Sequence, residues 1–190
     1  MKNILKVVLL FLALCVLLGF VLSISQSAKC DLESLLLQDN MMPLNWKRLW
    51  RILPPALPKE GAVDALNVVY ENGNEIAQHT IYRYKNGLLA SFFLWVNNQK
   101  FFPSGSWDWF DLEESEDWEL TGDVEKIRCG DSSDLFLGYL CVAAIRYGPF
   151  ISEFSSPIED GVMSHEEFKA IVVAIDDRIT SCIQSPNHQR

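Results

Sequence analysis

The hydrophobic positions along this chain fall into three successive rhythms. The first is an unbroken apolar run from Val7 to Leu22, preceded by Lys2 and Lys6 and followed by Ser23, Ser25 and Ser27. A short positive start, an apolar stretch and small polar residues are the features of an export segment. The run lies between the length of a signal-peptide core, about 7–15 residues, and that of a spanning helix, about 17–25. Two outcomes therefore stay open for residues 1–28: cleavage before Gln26 or Ala28, or an uncleaved anchor. In both, Lys2 and Lys6 hold the N-terminus inside and the rest of the chain faces outward. The membrane contact expected of this protein is through residues 4–25, and only if they remain attached.

Beyond Cys30 the pattern is that of a folded domain. Residues 31–37 read as a short helix with Asp31 and Glu33 at its start, where carboxylates favour the positive end of the helix dipole. Pro43, Pro54, Pro55 and Pro58 forbid a regular helix over 38–61, so this stretch is expected to be an ordered covering loop. From Ala62 the rhythm shifts to strands. Residues 62–71 and 75–84 are predicted to pair as a hairpin about Asn72-Gly73-Asn74, a sequence that tolerates positive φ. Leu88, Leu89, Phe92, Phe93 and Val96 then repeat at helical spacing, which predicts a helix over 86–98 laid on the sheet by that face.

Residues 101–119, rich in aromatic and acidic side chains, read as a loop. Strands are predicted at 124–129 and 135–147, with 150–158 as a third member. Ser164 with Glu167 forms a capping box, and Phe168, Ile171, Val172, Ile175, Ile179 and Cys182 share one stripe of a helix ending near Ile183. Residues 185–190 are expected to be a flexible tail. The expected fold class is α+β: a single disulfide-stapled domain over 29–184, with an antiparallel sheet flanked by helices, preceded by the signal or anchor helix.

Composition narrows the function. About 160 residues remain after the export segment, enough for one domain with a real core. Of 16 Lys and Arg in the chain, Lys2 and Lys6 belong to that segment, so 14 basic residues face 25 acidic ones, a formal charge of −11. Such a surface repels polyphosphate backbones, so no nucleic-acid partner is expected.

Export turns Cys30, Cys129, Cys141 and Cys182 into disulfide candidates. Cys129 and Cys141 occupy adjacent predicted strands across a turn and are expected to pair. Cys30 and Cys182 would then tie the N-terminal segment to the last helix. Four cysteines allow three pairings, so this assignment is an inference. No Cys-x-x-Cys occurs, and His79, His165 and His188 are not spaced with the cysteines as zinc ligands, so no metal and no cofactor is expected.

Two constellations have chemistry to offer. Asp108, Asp111, Glu113, Glu114, Glu116, Asp117 and Glu119 make a dense acidic run that could suit a cationic partner or loosely held Ca²⁺, but its spacing matches no calcium loop, so an exposed, solvated loop anchored by its tryptophans is the favoured reading. Trp107 and Trp109 share one side of an extended segment and offer a platform for a sugar or peptide, against burial in the core. With Trp46, Trp50 and Trp118 they make up the candidate binding set. No nucleophile elbow, phosphate loop, dinucleotide fingerprint or zinc-protease motif is found, so no catalytic residue is nominated.

The order Leu35-Leu36-Leu37-Gln38-Asp39, Pro43-Leu44-Asn45-Trp46, strands, a Phe-rich helix, a cysteine hairpin and a terminal helix resembles exported bacterial domains. It is similar in plan to the PsbP-like α/β sandwich and to the extracellular sensor domain of mycobacterial receptor kinases. The resemblance spans about Cys30 to Cys182 and implies binding or scaffolding outside the cytosol. The expected function is a non-catalytic binding domain for a protein or small ligand, held in a cleft between the Pro-containing loop and the Trp107–Trp118 segment. An envelope hydrolase with dispersed catalytic residues and a structural or assembly protein are the alternatives.

Overall fold

The computed structural model describes residues 30–49, 61–96, 101–102, 107–132 and 138–184. The export segment, Trp50 and the three downstream prolines of the covering loop, and the tail 185–190 lie outside the described residues. So do the ends of two expected elements, at 97–98 and 135–137.

The chain forms one seven-stranded sheet in the order β1-β2-β3-β7-β6-β5-β4, every neighbouring pair antiparallel. The strands are β1 Lys47–Arg48, β2 Ala62–Asn72, β3 Glu75–Tyr84, β4 Trp107–Asp111, β5 Val124–Ser132, β6 Tyr139–Tyr147 and β7 Phe150–Pro157. The helices are α1 Leu32–Leu35, α2 Gly87–Val96 and α3 His165–Gln184. The α+β sandwich read from the sequence is therefore the fold. Its two meanders, β1 to β3 and β4 to β7, meet where β3 pairs with β7 from Gln78↔Ser155 to Arg83↔Phe150. Among the described residues no helix is long and apolar enough to cross a membrane.

Turn chemistry sets the first hairpin. Asn72 opposes Glu75, and Gly73 between them takes φ +65°, a conformation open to glycine at little cost. On one face of the sheet α3 buries Phe168, Ile171, Val172, Ile175 and Ile179, the stripe that the sequence marks. The Phe168 ring stacks on Phe154 at 5.3 Å and meets Trp118 at 6.2 Å. The capping box is formed as expected: the Glu167 amide donates to Ser164 Oγ at 3.2 Å, and the Ser164 amide donates to Glu167 Oε2 at 2.8 Å. Ser164→Ala should lower the unfolding free energy by about 1 kcal/mol in urea titration; an unchanged midpoint would remove the cap from the account of this helix.

Two expectations are corrected. The segment 101–119 is not a loop throughout: β4 pairs along β5 from Trp107↔Ser132 to Asp111↔Arg128, and a 3-10 turn follows at Glu113–Asp117. Trp107 and Trp109 share one side of β4, but Phe110 and Asp111 break the alternation of apolar and acidic residues, so the sequence shows no clean period of two. The second correction concerns α2. Ala90 and Leu94 are buried, whereas Leu88, Phe92 and Trp95 are 51, 52 and 73% exposed. The helix is apolar all round, so periodicity alone could not choose the stripe that meets the sheet.

Both disulfides are the ones expected. Cys129 and Cys141 are register partners with Cα atoms 4.1 Å apart, and Cys30 joins Cys182 across a sequence separation of 152 residues. The second bridge fastens the strap containing α1 to the last helix. Arg178 Nε also donates to the Ser34 carbonyl there, and Tyr70 Oη donates to the Leu37 carbonyl at 2.9 Å.

Candidate functional site

Among the described residues a concavity lies at the start of α3. After β7 the chain closes a small loop, Glu159–Met163, in which the Glu159 amide donates to the Met163 carbonyl at 3.1 Å and the Met163 amide to the Glu159 carbonyl at 3.2 Å. Gly161 supplies the φ of +81° at its tip. Two further bonds fix the loop. The Ile158 amide donates to the Tyr139 carbonyl at 2.9 Å, and Trp46 Nε1 donates to the Val162 carbonyl at 3.1 Å.

Between this loop, Asn45, the Tyr139 end of β6 and the first turn of α3 is a pocket of about 510 Å³. Its size suits a small organic ligand. Ile158 and Val162 contribute apolar surface over the buried Met163, and Glu159, Asp160 and Glu167 contribute carboxylates. Glu167 is engaged in the cap, so Glu159 and Asp160, both exposed, set the charge of the rim. Among the described residues that line the pocket there is neither lysine nor arginine. An aromatic wall continues from it: the His165 ring lies 5.7 Å from Tyr139, and Tyr139 lies 6.0 Å from Phe110. The Nδ1 atom of His165 is buried and has no hydrogen-bond partner.

The sequence-nominated tryptophans separate. Trp46 and Trp118 are only 6 and 5% exposed and belong to the core beneath α3. Trp46 nonetheless braces the pocket through Val162, and Lys169 Nζ stands 5.8 Å above the Trp118 ring. Trp107 and Trp109 lie on the other face of the sheet, at its β4 edge, stacked with ring centres 5.4 Å apart. Trp109 meets Phe102 edge to face at 5.4 Å. Gly130 opposes Trp109 in the register, and a Cβ there would meet the Trp109 ring at 3.1 Å, so glycine admits the indole. Arg128 lies over the Phe102 ring at 5.1 Å and pairs with Asp111 at 2.7 Å, which ties part of the acidic run to this cluster. Trp50 lies outside the described residues.

His79 has a neighbour that the sequence does not reveal: its Nε2 is 3.0 Å from Ser152 Oγ. The pair is not arranged as a nucleophile and its base. Nδ1 accepts the Leu37 amide hydrogen at 2.9 Å, so the proton of the neutral ring is on Nε2 and points at the serine. Burial, with Arg178 adding to it, lowers the pKa of His79 from the usual 6.5 to about 3. The ring is a neutral strut between the strap and the sheet.

The pocket residues Tyr139, Glu159, Asp160 and His165 were outside the sequence-derived binding set. The signal for them was an acidic pair and a glycine directly before a capping box, which places a turn and a helix start side by side.

Comparison with solved structures shows a similarity of fold. The structure is similar to that of the extracellular domain of PknH from Mycobacterium tuberculosis. The TM-score is 0.51 at 7% sequence identity, over 78% of this chain and 95% of that chain. No protein-family profile matches the chain, and no curated protein matches it in sequence.

Proposed function

We propose that this chain is a non-catalytic binding domain that works outside the cytosol. Its ligand site is the pocket at the start of α3, and its ligand is a small molecule with an apolar body and a cationic group. The observation that carries the reading is the lining: apolar side chains and an aromatic wall under a rim of carboxylates, with neither lysine nor arginine among the described residues that line it. Two supports come from elsewhere in the molecule. Both disulfides fit an oxidising compartment, and the fold is similar to that of an extracellular domain.

The test is amide chemical-shift mapping of the disulfide-intact domain with a series of alkylamines and the matching neutral alcohols. Amines should shift Asn45, Tyr139 and the segment 159–167, and the alcohols should do so more weakly. Glu159→Gln combined with Asp160→Asn should weaken amine binding by about tenfold, the equivalent of 1.4 kcal/mol. Equal responses to amines and alcohols, or shifts centred on Trp107 and Trp109, would overturn the reading in favour of an uncharged or aromatic-edge ligand.

A further inference from the structure

On the face of the sheet opposite α3, α2 carries two apolar stripes. Ala90 and Leu94 form the buried one, and Phe93 beside them stacks on Tyr84 with ring centres 5.6 Å apart. The other consists of Leu88, Phe92, Trp95 and Val96, all exposed. Their spacing of i, i+4, i+7 and i+8 lines them along one side of the helix. No residue of α2 is charged, and the packed stripe holds the exposed one in a fixed orientation. A contiguous apolar surface of this kind marks a contact site.

Charge indicates what the surface meets. The chain has 25 Asp and Glu, yet none occurs from 76 to 107, the stretch that contains α2. Three carboxylates on this side of the sheet are each engaged. Glu153 accepts the Tyr82 hydroxyl at 2.8 Å, Asp123 pairs with Arg146 at 3.3 Å, and Asp111 pairs with Arg128 at 2.7 Å. Lys85 is exposed just before the first turn of the helix. An acidic domain thus presents its uncharged helix with a cation beside it and no unengaged acid among these three.

We propose that α2 is a membrane-contact helix: its exposed stripe enters the boundary between headgroups and acyl chains of an anionic phospholipid bilayer, with Lys85 among the phosphates. Ten residues are too few to span a bilayer and suit a helix lying in its interface. Tryptophan is favoured at that depth. The acidic surface elsewhere on the domain is repelled by the same headgroups, so this face is the one that approaches. Four partly exposed side chains fall short of the about 800 Å² per partner that a stable protein interface buries, which makes a second copy the poorer occupant. Chain length also allows the contact in an anchored form. Cys30 stands eight positions after Leu22, where the apolar run ends, a reach of at most about 28 Å. The proposal rests on placement outside the cytosol and not on the ligand of the pocket, which lies on the other face of the sheet.

The test is tryptophan fluorescence of the full chain in vesicles whose lipids carry brominated acyl chains, made of phosphatidylcholine alone or of an equal mixture with phosphatidylglycerol. Bromine quenches only indoles that reach the acyl region, and residues 1–28 contain no tryptophan, so any quenching reports on the domain. The parent protein should lose emission, and more of it in the anionic mixture. Trp95→Phe should remove most of the quenchable signal. Leu88→Ser with Phe92→Ser should restore the lost emission and leave the near-ultraviolet circular dichroism unchanged, because both side chains are exposed. Lys85→Gln should narrow the difference between the two lipids. Equal quenching of the parent and Trp95→Phe, or quenching unaltered by the Leu88 and Phe92 pair, overturns the proposal. A concentration-dependent blue shift of Trp95 emission without lipid assigns the face to a second copy and overturns it as well. Alkylamine shifts at 159–167 are read separately, so the pocket and the membrane face stand or fall apart.

Discussion

Replacing Cys30 and Cys182 together by alanine should lower the unfolding free energy by about 5 kcal/mol, whereas the same change at Cys129 and Cys141 should cost about 3 kcal/mol through chain entropy. The difference comes from loop length. The first bridge closes a separation of 152 residues and the second a separation of 12, and the entropy that a crosslink removes from the unfolded chain grows with the logarithm of the loop. Small domains have about 5–15 kcal/mol in total, so losing the long bridge leaves this one near its limit. The folded state points the same way. Cys182 holds the strap whose Leu37 amide caps His79 and whose Leu37 carbonyl receives the Tyr70 hydroxyl. Urea unfolding of the two alanine pairs checks the order. A larger loss at Cys129 and Cys141 would mean that packing in the hairpin outweighs the long loop.

Acid should destabilise the domain through His79 from a pH that begins above the range in which ordinary carboxylates titrate. In the unfolded chain this histidine takes a proton near pH 6.5, whereas in the folded domain burial and Arg178 lower its pKa to about 3. Above pH 6.5 the ring is neutral in both states and its contribution is fully present. As the pH falls from about 6.5 towards 3, only the unfolded state accepts the proton, and stability drops by about 1.4 kcal/mol per pH unit. Across the whole window the loss is on the order of a few kcal/mol. The geometry gives the cause, because protonation would set an Nδ1–H donor against the Leu37 amide donor within a dry interior. His79→Asn keeps an acceptor for that amide and does not titrate. Urea midpoints at pH 7, 5 and 4 should therefore fall less steeply for the variant than for the parent protein, even from a lower starting value. Parallel slopes would assign the acid sensitivity to carboxylates instead.

The elements that could be read in advance share a property: their signal lies in neighbouring residues. The last helix has a capping box and a clean apolar stripe, so Ser164 and Phe168 announce its start and its buried face. The first hairpin has a turn sequence that allows little else. The signal weakens where local composition is uniform. α2 is apolar on every side, and no period could say that Ala90 and Leu94 rather than Leu88 and Phe92 meet the sheet. β4 is short and half acidic, and it becomes a strand by pairing with β5 across Phe110↔Cys129.

The candidate site was harder to read for the same reason. Asn45, Tyr139 and the segment that holds Asp160 and His165 come from three stretches of the chain, and only the fold brings them together. The argument from spacing that set the histidines apart from the cysteines measured distance along the chain. The β5–β6 register and the entry of α3 remove that distance and place His165 over Cys129 and Cys141.

The amino-acid sequence alone determined the class of fold, the hairpin and the terminal helix, because each rests on periodicity, turn chemistry or the order of adjacent elements. It pointed to the Cys129–Cys141 pair across a turn, and to Cys30–Cys182 only as the pair then remaining. The tertiary structure alone decided that β3 lies beside β7, that His79 is a neutral strut against Ser152, and that the pocket forms where α3 begins. Those features depend on contacts between residues far apart in the chain. Such contacts cost loop-closure entropy and are held by burial of the whole core, so no local pattern records them.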